Sequence, residues 1–218
     1  MSEEIKIRKF KVSDRAAVRE INYNTALLGD SAEKFFDDRE VFADALTRYF
    51  TDYEPQSCFV AERGGEIAGY LIGAKDTRVM DRVMTGKAIF PLALKAFFRG
   101  AFFKPKNISF LLGCARSFAR GEFFAPAFCK GYPATLHINL REGFRGQALG
   151  GRLIEAYLNY LKSEGVEGVH LCTMSDKAAE FFIAQGFTLL HEGKRSYFRR
   201  YLGHDVTSRI FGKKITLS

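Results

Sequence analysis

The chain has 218 residues, a net charge of +8, 47% apolar and 27% charged residues, the make-up of a soluble globular protein long enough to bury one core. No apolar run approaches the ~20 residues of a membrane span, and Met1–Lys6 lacks the apolar stretch of a secretory leader. Cys58, Cys114, Cys129 and Cys172 show no CxxC spacing, so a disulfide framework or metal site is not expected and a cytoplasmic location is.

In chain order, Ile5–Phe10 alternates apolar and basic residues as a strand does. Ser13 is placed to cap a helix carrying Ala17, Val18 and Ile21, and Val41, Phe42, Ala45, Leu46 and Tyr49 form a second helical face. Cys58–Arg63 and Glu66–Ile72 are strand-like runs joined by Gly64-Gly65, the signal of a tight hairpin. Asp76–Lys130 breaks this pattern. It holds ten Lys/Arg against three Asp/Glu and ten of the 22 Phe, and Ile89–Ala101 and Asn107–Ala119 read as helices inserted between the third and fourth strands. Thr135–Leu140 is then a strand, Leu149–Leu161 a helix, and Val169–Met174 a strand. Ser175 caps a helix that runs to Gln185 and stops at Gly186, and Phe187–Leu190 and Ser208–Ile215 are strands around a short element at Tyr197–Leu202. The order β-α-α-β-β-insertion-β-α-β-α-β-β predicts an α/β chain. A helix joins its central strand pair, which is therefore parallel.

The turn between Leu140 and Leu153 is rich in small residues and feeds a helix. The first amides of a helix have no internal partner and its positive dipole end faces outward, so Arg145, Gly146, Gln147, Ala148, Leu149, Gly150 and Gly151 suit a diphosphate. Arg145 and Arg152 are placed to add charge-assisted contacts. The alternative is a plain strand-to-helix turn whose glycines relieve strain. The turn has neither a Walker ending nor a dinucleotide fingerprint.

Arg145, Ala148 and Gly150 fill the pattern Arg/Gln-x-x-Gly/Ala-x-Gly/Ala, and Ala178, Phe181, Gly186 and Phe187 fill Asn-x-x-Ala-x-x-Phe-Tyr-x-x-x-Gly-Phe. The two together, in this order, resemble the hallmarks of the GNAT superfamily of N-acetyltransferases, over Ile5–Ile215 apart from the insertion. Leu136–Leu140 and the wording Phe211-Gly212-Lys213-Lys214-Ile215 are also similar to bacterial members akin to the acetyltransferase-like domain of O-GlcNAcases. The resemblance implies one GNAT-like domain over residues 1–218, with a mixed α+β sheet of six to seven strands, a splayed parallel pair and the basic Phe-rich insertion at 76–130.

It also implies acetyl-CoA as co-substrate and an amine, small molecule or peptide, as acceptor. Its pantetheine arm would lie along Asn139, Leu140 and Arg141, with Ser175, Ala178 and Phe181 on the far side. His137 and Asn139 share a strand face. His137 would serve as general base or as a structural histidine, and Asn139 would orient the substrate. Phe182 stands where the family carries its Tyr acid, and Ser175 where it carries Asn. Three outcomes stay open: the thiolate leaves unaided, since a thiol pKa of ~8.5 makes it a tolerable leaving group; Tyr197 or Tyr201 donates; or the domain binds the coenzyme without transfer. The insertion would form a lid or pocket wall. Its alternatives are a subdomain with Phe inward and Arg/Lys outward, or a surface for an anionic substrate, nucleic acid or an anionic membrane. A homodimer is a further expected partner state left open by one sequence.

Overall fold

The computed structural model describes residues 4–128 and 130–216. The opening Met1–Glu3 and Cys129, both read above, lie outside the described residues. Seven strands, β1 (Lys6–Lys9), β2 (Phe59–Arg63), β3 (Glu66–Ala74), β4 (Ala134–Leu140), β5 (Gly168–Thr173), β6 (Thr188–Arg195) and β7 (Val206–Lys214), form one mixed sheet in the order β1-β2-β3-β4-β5-β7-β6. The helices are α1 (Arg15–Thr25), α2 (Arg39–Arg48), α3 (Thr77–Val83), α4 (Ile89–Phe98), α5 (Pro105–Ala119), α6 (Leu149–Ser163), α7 (Asp176–Ala184) and α8 (Arg199–Leu202). The mixed α/β class and the element order are as the sequence predicts.

Local chemistry accounts for the boundaries. Gly64 and Gly65 both have positive φ, 57° and 82°, which a primed two-residue turn requires. Ser175 accepts the Ala178 amide at 3.3 Å and starts α7, and Gly186, at φ 78°, ends it. Ser13 does not cap α1. Asp14 closes the preceding 3₁₀ turn instead, accepting the Lys11 amide at 2.8 Å and the Arg8 guanidinium at 2.6 Å, because a buried carboxylate needs more donors than a hydroxyl supplies.

Helices cover both faces of the sheet. On one face α6 and α7 bury Leu149, Leu153, Ile154, Tyr157 and Phe182 against Leu71, Leu136 and Leu171. On the other, α1 lies over Tyr70 and Ile72. A third cluster joins Tyr23 of α1, Leu27 just after it, Phe35, Phe36 and the insertion's Ala96 and Ala101 to Phe198 and Val206 beyond β6. The insertion is thus seated on α2 and on the β6–β7 connection. Lys95 pairs with Asp44 (2.5 Å), Arg99 with Asp38 (2.9 Å) and Lys106 with Asp37 (2.5 Å). At its far end Glu122 accepts the Ser196 amide at 2.7 Å and its hydroxyl at 2.8 Å.

The expectation of Phe inward and Arg/Lys outward is overturned in part. Phe110 is turned inward, but Phe90, Phe97, Phe98, Phe103 and Phe118 are exposed, while Lys95, Arg99 and Lys106 reach inward to carboxylates. The acidic cluster beneath outcompetes solvent for those cations.

These carboxylates make seating pH-sensitive. Burial pushes the Asp44 pKa up, but hydrogen bonds from Lys95 and Arg19 outweigh it and hold the carboxyl below its ordinary value. Asp38 is held down likewise, burial being outweighed by the Val41 amide and Arg99. A carboxyl depressed in the folded state contributes stability that is present above its unfolded pKa, ~3.9, and is lost as pH falls through the folded value. The melting temperature should therefore hold from neutral pH to about pH 4 and fall below it. Asp44→Asn should cost about 2 kcal/mol at neutral pH and flatten the acid limb in a pH series of thermal melts; an unchanged limb would remove Asp44 from the account.

Candidate functional site

β4 and β5 are parallel but paired only at Ala134↔Val169 and Thr135↔His170. Beyond Thr135 they separate, while β4 stays paired with β3 up to Leu140↔Gly69. The Arg141 amide donates to the Ala68 carbonyl at 2.9 Å. Alternation then turns the main-chain groups of Asn139, His137 and Thr135 toward β3, and those of Ile138 and Leu140 into the gap. Of the three residues expected to offer main-chain groups there, only Leu140 faces it; Arg141 and Asn139 are engaged by β3. Ile138 does face it, and the sequence reading missed it.

At the wide end of the gap lies the turn into α6. Among the described residues the amides of Gly146, Gln147, Ala148, Leu149, Gly150 and Gly151 have no protein acceptor. The Arg145 amide, expected with them, is taken by the Glu142 carbonyl at 3.2 Å. Gly146 and Ala148 both have positive φ, 80° and 57°. For Ala148 this left-handed conformation costs ~1 kcal/mol or more, strain of the kind held at functional turns. Gly150 is buried, and a Cβ there would lie 2.8 Å from the Phe181 ring, so its bareness lets α6 start against α7. The Arg145 guanidinium donates to the Gly29 carbonyl at 3.3 Å, and that of Arg152 to the Ile5 carbonyl at 3.0 Å. Ser175, Ala178 and Phe181 follow β5 and form the opposite bank.

Between the two ends, His137 and Asn139 lie on the α1 side of β4 beside Tyr70. The Tyr70 hydroxyl, fully buried, receives the Asn22 amide at 3.0 Å and the Asn139 amide at 3.1 Å, and lies 3.2 Å from His137 Nδ1. A phenol has two acceptor sites and one proton. With both acceptor sites filled, the proton goes to His137 Nδ1, so the imidazole carries its own proton on Nε2. Burial pushes the His137 pKa down to about 4, and the ring is neutral at physiological pH. Asn22 Oδ1 is buried in this cluster without a partner.

His170 has the reverse tautomer. Its Nδ1 lies 2.7 Å from the Tyr132 carbonyl, which only accepts, so Nδ1 carries a proton and the lone pair of the neutral ring is on Nε2. His170 is opposite Thr135 in the parallel register, two residues from His137 and on the same face. No spacing in the sequence marks it, because Tyr132 is 38 positions away.

Tyr197 lies beyond β5, its hydroxyl 3.4 Å from Met174 Sδ and its ring stacked on Phe123. Burial raises its pKa, so the phenol stays protonated. Tyr201 reaches the Lys106 carbonyl at 3.5 Å. Phe182 is in the core against Phe181, Phe187 and Phe211. Cys172 is exposed, with Sγ 3.1 Å from Ser208 Oγ; Cys58 is buried. Among the described residues no group of three or more His, Cys, Asp or Glu is placed to hold a metal ion. An open cavity of about 510 Å³ lined by Val12, Arg15, Arg19 and Arg39 lies at the outer start of α1. It holds none of the residues at the gap, so the strands' divergence, rather than cavity size, marks the site.

The family model for acetyltransferases of the GNAT type matches residues 25–187. The crystal structure of SsHAT superposes with a TM-score of 0.72 over 98% of this chain and 99% of that one, at 26% identity. At 16% identity, the polyamine N-acetyltransferase of Drosophila melanogaster shares the fold with a TM-score of 0.56, covering 97% of this chain and 100% of that one. The yncA protein of Salmonella typhimurium, a putative acetyltransferase solved with its cofactor acetyl-CoA, does so at 13% identity, TM-score 0.58, over 98% and 95%. No curated protein sequence matches the chain.

Proposed function

The chain belongs to the GNAT acetyltransferase family, and from that premise we propose that it transfers an acetyl group from acetyl-CoA to a primary amine by direct attack within a ternary complex. The observation that carries this is the pairing of β4 and β5, closed at Thr135 and open beyond it, with six unpartnered amides at the wide end. The diphosphate of the co-substrate sits on the amides of Gly146 to Gly151, and Arg145 and Arg152 add charge from its rim. The pantetheine amides pair with the main chain of Ile138 and Leu140 as an added strand would. From Leu140 to Thr135, where the gap closes, is five residues, ~17 Å at strand rise, so a thioester held at Ile138 lies part-way down the gap, next to His137 and facing the end that carries His170.

There the amine nitrogen attacks the thioester carbon. The Ile138 N–H stabilises the oxyanion, the C–S bond breaks, and coenzyme A leaves as thiolate. The amine proton goes to His170 Nε2, directly or through one water. His137, expected as the base, is instead a donor in its Nε2–H form. With Asn139 and Tyr70 it orients the acceptor, while Asn22 Oδ1 offers a buried acceptor that an amine N–H fills. The thiolate takes its proton from Tyr197 or from solvent, Phe182 having none to give. Holding both reactants in line supplies much of the rate, ~7–11 kcal/mol in well-oriented systems.

Incubation with labelled acetyl-CoA and a panel of amines and amine-ended peptides tests this. Label should pass to at least one amine, and acetyl-CoA should raise the melting temperature. Stabilisation without transfer to any acceptor would leave a coenzyme-binding protein that lacks catalysis, the reading Phe182 favours. Absence of both would remove the proposal.

A further inference from the structure

We propose that the insertion docks on a membrane surface carrying anionic phospholipids, through the outward faces of α4 and α5. α4 turns Leu92 and Ala96 to the core, yet its other sides carry Phe90, Leu94, Phe97 and Phe98, with Phe90 75% and Phe98 78% exposed. α5 turns Asn107, Phe110 and Ser117 inward and presents Ile108, Leu111, Leu112 and Phe118 outward, at the i, i+3, i+4 spacing of a single stripe. A helix whose one charge, Lys95, is turned inward and whose other sides are apolar belongs in a core or in lipid, and exposed apolar side chains grouped in this way mark a binding face. Phe97 and Phe103, 6.0 Å apart, join the α4 face to the turn that leads into α5.

Charge selects the occupant. From Arg82 to Gly121 there are eight Lys/Arg and no carboxylate. Lys95, Arg99 and Lys106 are turned inward to acidic partners. Arg82, Lys87, Lys104 and Arg116 make no ion pair among the described residues. Phe and Leu on one surface with unpaired Lys and Arg around them are the composition of an interfacial element, whose rings enter the headgroup region while cations meet lipid phosphates. A second copy of the same face would bring like charges together. Nucleic acid would be read by stacking, and here the rings alternate with Ile and Leu along helices instead of lying on a flat platform. No helix of the described residues is long and apolar enough to cross the bilayer, so the contact is with one leaflet.

The test is co-flotation of the full chain with vesicles of phosphatidylcholine, with and without phosphatidylglycerol. The parent should bind the phosphatidylglycerol vesicles, more weakly as salt rises, and leave pure phosphatidylcholine largely unbound. Phe90→Ser with Phe98→Ser, and separately Lys104→Gln with Arg116→Gln, should each weaken binding at least tenfold, on the order expected for two anchors or two surface cations. Phe90, Phe98 and Arg116 are exposed, Lys104 is half-buried, and all four lie away from the β4–β5 gap, so circular dichroism and acetyl-CoA affinity should match the parent. The proposal is overturned if neither vesicle binds, or if the Phe variant binds as the parent does. It also falls if sedimentation velocity shows a dimer that the Phe variant abolishes, or if single-stranded RNA binds and phosphatidylglycerol vesicles fail to compete.

Discussion

Ile138→Pro is expected to leave the chain folded and to lower the turnover number about 10²–10³-fold, the loss typical of one oxyanion donor. Proline removes a single N–H and is tolerated where that N–H faces away from the ladder. At Ile138 it faces the gap, so the pairing of β4 with β3 keeps its bonds. Affinity for acetyl-CoA, read by calorimetry, should fall about tenfold with the loss of one hydrogen bond to the arm. Asn139→Pro is the control. Its N–H faces β3, where Asn139 is opposite Tyr70, and its loss should disrupt the sheet and abolish the cooperative melt. Should Ile138→Pro turn over as the parent does, the assignment of that amide fails. Should Asn139→Pro fold normally, the alternation that distinguishes the two positions is wrong.

Gly73→Ala should destabilise the chain by about 3 kcal/mol, the upper end for overpacking, a drop in melting temperature of roughly 6–12 °C for a chain of this length. A Cβ at Gly73 would lie 2.3 Å from the Tyr157 ring and 2.4 Å from its hydroxyl. Tyr157 cannot step aside. It is fully buried, and its hydroxyl reaches the Ala74 carbonyl at 3.1 Å and the Thr135 carbonyl at 2.8 Å, at the last residue where β4 and β5 are paired. Tyr157→Leu alone should cost about 2 kcal/mol by removing the O–H that those two carbonyls share. In the double variant the shortened side chain accommodates the new methyl, so the combined loss should be at least ~1 kcal/mol smaller than the two separate losses together. Additive losses in denaturant titrations would mean that the two residues do not share the strain.

Much of the frame was legible because it rests on local rules. Gly64-Gly65 marks a hairpin through positive φ alone, and Ser175 and Gly186 bracket α7 through hydrogen bonds within a few residues of each. The turn into α6 and the Ser175–Phe187 motif were readable in the same way, as was the placing of Phe182 where a phenol is usual. What resisted depended on partners far away in sequence. Asn22 and Tyr70 are 48 positions apart, and only their meeting fixes the proton on His137. Whether Asn139 or Leu140 offers its main chain to the gap depends on which strand lies on each side of β4. The insertion misled for a different reason. α4 is apolar except for Lys95, so periodicity carries little information on which side is covered, and the acidic residues that draw Lys95 and Arg99 inward belong to α2 and its approach.

The two halves of the sheet share only a two-residue seam between β4 and β5, so on strand pairing alone they would pivot about it like the leaves of a book. The insertion spans them, anchored to Asp38 and Asp44 on one leaf and, through Glu122, to Ser196 on the other. It is a strut across a hinge, and it sets the angle of the wedge before any guest arrives.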